Sequence, residues 1–330
     1  MIQRFSFGHP FPTQSVVLSL PAESGPVPFL TPDDSGWRLT LSEQAAVYGL
    51  GEMPRGINKR GWHYVTNNTD EARHSEDKLS YYGAHNFLLV RDGSTCFSLF
   101  VDFPGKVYYD IGYTRHDLFS FHTETPDYDL YLLSGENENA ICKEFRTLIG
   151  RSYIPPKWAF GLAQSRWGYK TEEDVREVAR QYKEHDLPLD MICMDIEYMQ
   201  DYADFTVNKE RFPDLTKLSA DLKAQGIRLV PIIDAGVRIN PEDPTCTEGL
   251  EKGYFCTKAD GTPFVAAVWP GKAYFADFLR PEVRDWFGHR YKVLTDCGIE
   301  GFWNDMNEPA LFYSPDRLRE FLDSMAQLRG

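Results

Sequence analysis

The chain has 330 residues, of which 42% are hydrophobic and 14% aromatic, and this length and composition can bury the cores of two domains. Its 35 basic and 49 acidic side chains give a formal net charge of −14 at pH 7, which argues against broad electrostatic binding to nucleic acid or to an anionic membrane. A neutral or cationic small molecule fits this charge better. The sequence has no run of 18 apolar residues and no apolar core of a secretory signal, so we expect a cytoplasmic protein.

The first part of the chain reads as short strands separated by turn residues. Because such strands alternate with Gly, Pro, Asn and Asp, they predict an antiparallel β-sandwich. The predicted strands cover residues 16–18, 37–41, 86–90, 96–101, 106–109, 118–121 and 127–133. A helix is predicted over 137–149, ending at Gly150, and Pro155 and Pro156 mark a stiff junction. We therefore predict a sandwich domain at 1–150 and a second domain at 151–330.

The second part alternates strands and helices, which predicts parallel pairing through crossover connections. Strands are predicted at residues 158–162, 189–194, 227–233 and 299–303, and helices begin near Thr171, Leu215 and Pro281. Four strands with their helices fit half of an eightfold barrel, and the segment is shorter than the ~250 residues of a complete one. The expected architecture is an antiparallel β-sandwich followed by the first half of a (β/α)8 (TIM) barrel, truncated after strand four.

Three of the four predicted barrel strands are followed by an aspartate: Asp195 and Asp234 come directly after their strands, and Asp305 comes after Asn304. Active sites of βα barrels collect at the carboxyl ends of the strands. An aspartate after a strand is also commonly a helix cap or a turn residue, but three in equivalent positions favour a site. Carboxylates accept paired hydrogen bonds from vicinal hydroxyls, and aromatic rings cover the apolar face of a sugar, so the pattern suggests a neutral sugar as the ligand.

Several aromatic residues lie near these strand ends. Trp158, Phe160 and Phe302 are expected to belong to the barrel core, whereas Trp269 and Trp303 are open to either a core or a ligand-binding role. Trp167 lies in the polar and aromatic run 164–169 that follows the first predicted strand, and it is expected to contact the substrate. The six cysteines are scattered without C-x-x-C spacing, which predicts neither a zinc site nor a disulfide framework.

Four motifs make the chain resemble glycoside hydrolase family 31. The run Trp303-Asn-Asp-Met-Asn-Glu-Pro309 is similar to the nucleophile signature of that family. Tyr48-Gly-Leu-Gly-Glu52 resembles the hallmark of its N-terminal domain, and Met194-Asp-Ile-Glu-Tyr-Met199 resembles its second-strand motif. Val268-Trp-Pro270 with Phe275-Ala-Asp-Phe278 resembles the connection before strand four. The resemblance covers nearly the whole chain. It departs from the family pattern at Ala276 and Glu197, where proline and aspartate are usual.

The resemblance implies a retaining α-glucosidase that removes terminal glucose without a metal or organic cofactor. It implies that Asp305 is the nucleophile, that Asp195 binds a sugar hydroxyl, and that Ile196 shapes the pocket wall beside it. Asp234, Trp303 and Met306 would line the same pocket, with Trp269 at its edge. Asp70, in the run 67–70, corresponds either to a loop residue that reaches the barrel mouth or to an Asx turn. Glu308 is expected to orient groups around Asp305.

Retaining glycosidases need a second carboxyl group as acid/base. The resemblance implies that this group is an aspartate from the other half of the barrel. The predicted amphipathic helix at 314–330 contains Asp316 and Asp323, but neither is a convincing substitute. The isolated chain is therefore expected to be nearly inactive, and an open barrel edge favours homo-oligomers or association with a complementing C-terminal fragment.

Two alternatives remain open from the sequence. The chain could be a non-catalytic sugar-binding protein derived from the enzyme, or it could have an α-xylosidase or another family 31 specificity. The sequence Met306-Asn-Glu308 favours the glucosidase. Linkage preference depends on aglycone contacts and is not predicted.

Overall fold

A computed structural model describes residues 1–33 and 36–314. The chain divides into two compact units, Met1–Tyr153 and Ile154–Gly330, and this division falls just beyond the predicted boundary at residue 150. The predicted helix at 314–330, with Asp316 and Asp323, lies outside the described residues.

Unit 1 consists of two antiparallel five-stranded sheets. One sheet has the order β1-β10-β7-β6-β4 and the other has the order β2-β3-β9-β8-β5. The strands are β1 Ile2–Phe7, β2 Thr31–Pro32, β3 Trp37–Thr40, β4 Ala46–Gly51, β5 Trp62–Thr66, β6 Ala84–Asp92, β7 Thr95–Asp102, β8 Val107–Ile111, β9 Leu118–Thr123 and β10 Tyr128–Ser134. The predicted antiparallel sandwich is confirmed.

The core of unit 1 lies between its two sheets. On β8 the side chains of Val107, Tyr109 and Ile111 are buried while those between them are not, as expected when alternate residues face the opposite sheet. Leu99 of β7 and Leu130 of β10 belong to the same hydrophobic cluster. The alternating burial identifies two sheets packed face to face.

Helix α1, Glu138–Ile149, covers the outer face of one sheet. It begins at Asn137, whose side chain accepts a hydrogen bond from the backbone N–H of Ala140, and ends at Gly150 as predicted. The predicted strand at 16–18 is wrong: this segment runs without a strand partner, and the Val17 N–H donates to the Leu148 carbonyl at the end of α1. Its apolar residues pack against the helix cluster instead of entering a sheet.

Unit 2 contains a parallel sheet in the order β11-β12-β13-β17. Its strands are β11 Ala163–Arg166, β12 Met191–Met194, β13 Arg228–Ile233 and β17 Trp303–Asn304. The helices are α2 Glu172–Glu184, α3 Leu215–Ala224, α4 Pro244–Glu251, α5 Pro281–Arg290 and α6 Lys292–Thr295. Four parallel strands with connecting helices are consistent with half of an eightfold βα barrel.

The first barrel strand lies later than predicted. Residues Lys157–Phe160 form a 3-10 turn after Pro156, and the strand begins at Ala163. Phe160 is 73% exposed, so its predicted place in the barrel core is also wrong. The apolar run misled the prediction because the true strand, Ala163–Arg166, is polar and is identified only by its pairing with β12.

The helices of unit 2 close over the sheet through apolar faces. Helix α2 begins with a capping box in which the Thr171 and Asp174 side chains each accept a backbone N–H of the other residue, as predicted. Val175, Leu218 and Val283, from α2, α3 and α5, are fully buried in one cluster with the sheet. A small antiparallel sheet was not predicted; it comprises β14 Gly236–Arg238, β15 Ala266–Val268 and β16 Gly271–Phe275.

Among the described residues, no helix is both long and apolar enough to cross a bilayer. All six cysteines are free thiols.

Candidate active site

Three aspartates lie at the carboxyl ends of adjacent strands in unit 2. Asp195 follows β12, Asp234 follows β13, and Asp305 follows Asn304 of β17. The three strands are parallel, so these ends share one edge of the sheet. The charge of Asp305 contributes to raising the pKa of both Asp195 and Asp234, so the three carboxyl groups lie within electrostatic reach of one another.

Asp234 is the most deeply placed of the three. It lines a cavity of about 450 Å³ with Asp305, yet its side chain is only 3% exposed. Neither of its carboxyl oxygens has a hydrogen-bond partner among the described residues. Burial raises the pKa of Asp234 to about 7, and the charges of Asp305 and Asp195 add to the effect. A carboxyl group of this kind can be neutral or ionised near pH 7.

Asp195 is half-buried and held by the next residue. Its Oδ1 accepts a hydrogen bond of 2.8 Å from the backbone N–H of Ile196, which begins a short 3-10 turn. Burial raises the pKa of Asp195, the Ile196 N–H opposes this rise, and the charge of Asp305 adds to it. Ile196 itself is 2% exposed and packs in the core of the unit.

Asp305 is placed by its backbone. Its N–H donates to the carbonyl of Ile233 over 3.1 Å, which joins the end of β17 to the end of β13. The preceding Asn304 accepts a hydrogen bond of 2.6 Å from the hydroxyl of Tyr291, which also lines the cavity. These contacts link Asp305 to both the sheet and the cavity wall.

Met306 follows in a left-handed backbone conformation with φ of 58°, which is unfavourable for a residue with a side chain. Its side chain is 7% exposed and packs in a cluster with Val268, Phe275 and Ala310. This packing fixes the turn immediately after Asp305.

The three tryptophans predicted for the site have different surroundings. Trp303 is partly buried and packs against the core of the unit. Trp269, at the turn between β15 and β16, is 50% exposed and meets the ring of Phe312 edge-on, with centroids 4.8 Å apart. Trp167, just after β11, is 65% exposed. Their contact with a sugar stays a prediction.

Asp70 belongs to unit 1. It is exposed, and its Oδ1 accepts a hydrogen bond of 2.6 Å from the hydroxyl of Tyr82. The neighbouring Asn68 accepts the backbone N–H of Ala84, so side chains organise this loop locally. The predicted role of Asp70 at the barrel mouth stays a prediction.

Several residues around the site were missed by the sequence analysis. An aromatic wall of the cavity is formed by Phe278, Phe287 and Tyr291. The sequence predicts the helix from Pro281 that carries Phe287 and Tyr291 but not the cavity beside it, because periodicity does not distinguish a cavity wall from a core. Asp204 was also missed, although an aspartate within the apolar run 202–205 is a signal for a buried carboxyl group.

The site contains little positive charge. In the described part of the chain, no Lys or Arg contributes to the pKa of Asp195 or Asp234. No group of three or more His, Cys, Asp or Glu side chains in residues 1–33 and 36–314 is arranged to hold a metal ion. The site therefore offers carboxyl oxygens as hydrogen-bond acceptors beside an aromatic surface.

A parallel βα unit with carboxyl side chains at the carboxyl ends of its strands has the arrangement in which βα-barrel enzymes place their active sites. The model of the glycosyl hydrolases family 31 TIM-barrel domain matches residues 152–327, and that of the glycosyl hydrolase 31 N-terminal galactose mutarotase-like domain matches residues 24–110. The chain belongs to glycosyl hydrolase family 31.

The chain is similar to several glycosidases. Alpha-glucosidase 2 of Bacillus thermoamyloliquefaciens is 42% identical over 274 residues, which are 82% of this chain and 35% of that protein. An alpha-glucosidase of Saccharolobus solfataricus is 29% identical over 87% of this chain and 41% of its own length. Alpha-xylosidase 1 of Arabidopsis thaliana is 31% identical over 83% of this chain and 31% of its own length. The chain therefore spans less than half the length of these relatives.

Among solved structures, a GH31 dextranase of Flavobacterium johnsoniae complexed with isomaltotriose is similar, with a TM-score of 0.77 and 25% identity. The similarity covers 88% of this chain and 36% of the dextranase chain. A glucosidase II alpha subunit shares the fold, with a TM-score of 0.74 over 84% of this chain and 32% of that subunit at 24% identity.

Proposed function

We propose that the protein hydrolyses terminal, non-reducing α-linked glucose with retention of configuration, and that Asp305 is the nucleophile. The observation that carries the proposal is the position of Asp305 at the cavity, at the same sheet edge as Asp195 and Asp234. The family membership and the α-glucosidases among the relatives support the substrate class.

In this mechanism Asp305 attacks the anomeric carbon and forms a covalent glycosyl-enzyme, which water then hydrolyses. Asp195 and Asp234 accept hydrogen bonds from sugar hydroxyls, and the aromatic wall covers an apolar face of the ring. A hydroxyl donated to Asp234 would satisfy an oxygen that has no partner among the described residues. Such a bond would favour the ionised carboxylate when sugar is bound.

The reaction also requires an acid/base carboxyl group, which we place outside the described residues. A missing proton donor would lower the rate by about 10²–10⁴-fold, so the 330-residue chain alone is proposed to turn over slowly. Substrates whose leaving group needs little protonation react without a strong proton donor. Such substrates therefore test the nucleophile directly.

The decisive experiment treats the 330-residue chain with 2-deoxy-2-fluoro-α-glucosyl fluoride and related trapping fluorides, followed by peptide mass spectrometry. We expect a glycosyl adduct on Asp305, because fluoride leaves without a strong proton donor. The Asp305→Asn variant should take up no label, and in a version extended through the rest of the barrel it should lower kcat by roughly 10⁴-fold. A label on another residue, or unchanged turnover by Asp305→Asn, would refute the assignment.

Substrate preference has one specific competitor, because a relative of similar identity is an α-xylosidase. Comparing p-nitrophenyl α-glucoside with the α-xyloside in the extended protein separates the two. A non-catalytic sugar-binding protein would bind glucose but release no nitrophenol from either substrate, even in the extended form.

A further inference from the structure

Asp204 is a buried carboxyl group that the proposed mechanism does not use. It lies between β12 and α3 and is 4% exposed. Its Oδ1 accepts a hydrogen bond of 2.9 Å from the backbone N–H of Asp234, and its Oδ2 has no partner among the described residues. The side chain therefore reaches the peptide that carries a pocket carboxylate.

The loop around Asp204 is conformationally costly. Asp201, Tyr202 and Phe205 all have left-handed φ values of 51°, 60° and 60°. Each such residue costs free energy and persists only where its surroundings hold it. The Thr206 hydroxyl ties the loop together, donating to the Ala203 carbonyl at 2.5 Å and accepting the Gln200 N–H at 2.9 Å. This strained loop places the Asp204 side chain against the backbone N–H of Asp234.

The same segment holds the end of β13 at a second point. The hydroxyl of Tyr198 donates to the carbonyl of Ile232 over 2.7 Å, and both groups are buried. The next carbonyl, that of Ile233, accepts the N–H of Asp305. Two consecutive peptide groups leading into Asp234 are thus fixed by three hydrogen bonds, two from the segment after β12 and one from Asp305.

Phe205 extends the connection to the cavity wall. Its ring packs edge-on against Phe287 and Tyr291, with centroids 5.0 Å and 5.3 Å apart. Both partners line the cavity. Adjacent residues of one loop therefore support the carboxylate and the aromatic wall of the pocket.

We propose that Asp204 is a positioning residue, a neutral carboxylic acid that holds the Asp234 peptide and so sets the Asp234 side chain beside Asp305. Burial raises the pKa of Asp204 well above its ordinary value, and the charges of Asp234 and Asp243 add to this effect while the Asp234 N–H opposes it. The other titratable groups that interact with it are the hydroxyls of Tyr198 and Tyr291. No cation is among these groups in the described residues, which favours the protonated acid.

The test compares Asp204→Asn with Asp204→Leu in the 330-residue chain. Asparagine keeps a neutral acceptor of the same shape, whereas leucine keeps the volume and removes the acceptor. Hydrogen exchange of the Asp234 amide should be at least tenfold faster in Asp204→Leu than in the parent, and within threefold of the parent in Asp204→Asn. Asp214→Ala, which removes the exposed cap of α3, is the control and should leave the Asp234 amide protected.

A leucine variant as protected as the parent, or an asparagine variant as exposed as the leucine variant, would overturn the proposal. If the leucine variant does not fold, Asp204→Ala replaces it. The ¹³C titration of the Asp234 carboxyl group is an independent test of whether Asp204 is neutral. Its midpoint should be the same in the parent and in Asp204→Asn, whereas a lower midpoint in the variant would mean that Asp204 is ionised.

The meaning of this positioning for catalysis rests on the function proposed above, but neither measurement requires sugar or turnover. A failure of Asp305 to form an adduct would therefore leave the Asp204 result intact, and the reverse also holds. In an active extended protein, Asp204→Asn should retain the parent pH profile of kcat/KM, while Asp204→Leu should alter it.

Discussion

At the scale of single residues, the unusual feature of the site is the buried carboxyl group of Asp234, which has no cationic partner in residues 1–33 and 36–314. The unfolded chain releases the Asp234 proton near pH 4, whereas the folded chain retains it to about pH 7. Between these values the folded state binds more protons, so the free energy of unfolding falls as the pH rises. Above pH 7 both states have released this proton, so Asp234 no longer changes the free energy of unfolding with pH.

Replacing Asp234 with asparagine should remove this pH dependence. We expect the unfolding free energy of Asp234→Asn to gain roughly 2–3 kcal/mol relative to the parent between pH 5 and pH 8. Urea unfolding at both pH values measures the difference. Asp285→Asn, at an exposed position on α5, is the control and should differ from the parent equally at both pH values. A constant difference for Asp234→Asn would show that Asp234 ionises normally.

Sequence reasoning identified the three aspartates at the strand ends because their position follows from a simple rule of parallel sheets. It did not identify Asp204, which accepts the N–H of Asp234 just after β13, or the Tyr198 hydroxyl, which donates to the Ile232 carbonyl of β13. Both contacts are made by a segment that contains left-handed residues. The apolar run 202–205 can signal a buried carboxyl group at Asp204, but local composition does not predict which backbone group that side chain contacts. The aromatic wall was missed for a related reason, since helix periodicity identifies an apolar face but not the cavity beside it.

At the scale of elements, the motif Tyr48-Gly-Leu-Gly-Glu52 has a steric explanation. Gly49 has φ of 117°, and a Cβ at this position would lie 2.4 Å from the Phe87 carbonyl oxygen of the paired strand β6. The register of β4 against β6 shifts between Gly49 and Gly51. Glycine is therefore required by both the backbone conformation and the close approach.

We expect Gly49→Ala to destabilise the protein by about 1–3 kcal/mol or more, because strain and a backbone clash act together. Gly56→Ala is the matched control, since a Cβ there meets nothing within 4 Å and its φ is not left-handed. Denaturant unfolding of both variants gives the comparison. Equal stabilities would contradict the steric explanation.

Element prediction failed where apolar composition and strand pairing disagree. The apolar run at 158–162 forms a 3-10 turn and an irregular segment, and the polar run Ala163–Arg166 forms the first barrel strand. Residues 16–18 likewise have strand-forming side chains but pack against α1. In both cases the long-range partner decides the conformation, and that partner is invisible in a local window.

At the scale of the whole molecule, each unit has its own hydrophobic core, and residues 151–154 between them are exposed and irregular. We expect trypsin to cut native protein after Arg151 and release two folded pieces. Arg151→Gln should slow this cut strongly, whereas Arg146→Gln, within α1, should not. Mass spectrometry of the early fragments checks this, and primary cleavage inside either core would contradict it.

The division into a sandwich and a parallel βα unit was predicted from the change between closely spaced strands and alternating strands and helices. The predicted boundary lies close to the one in the structure. The small sheet of β14, β15 and β16 was not predicted, because its three short strands fit neither the closely spaced strands of the sandwich nor the strand–helix alternation of the barrel. It nevertheless matters for the site, since Val268 and Phe275 pack against Met306 directly after the proposed nucleophile.

The end of β17 joins the sheet through two residue pairs, Ile232 with Trp303 and Ile233 with Asn304. On a ribosome Asp195 and Asp234 emerge well before Asp305, so the strands that carry them can pair before the nucleophile is synthesised. Among the described strands of this sheet, β17 is then the last to be added, and it pairs with β13 after β12 and β13 have paired. We expect nascent chains arrested before residue 303 to form the β12 and β13 pairing and yet bind no sugar, because they lack Asp305.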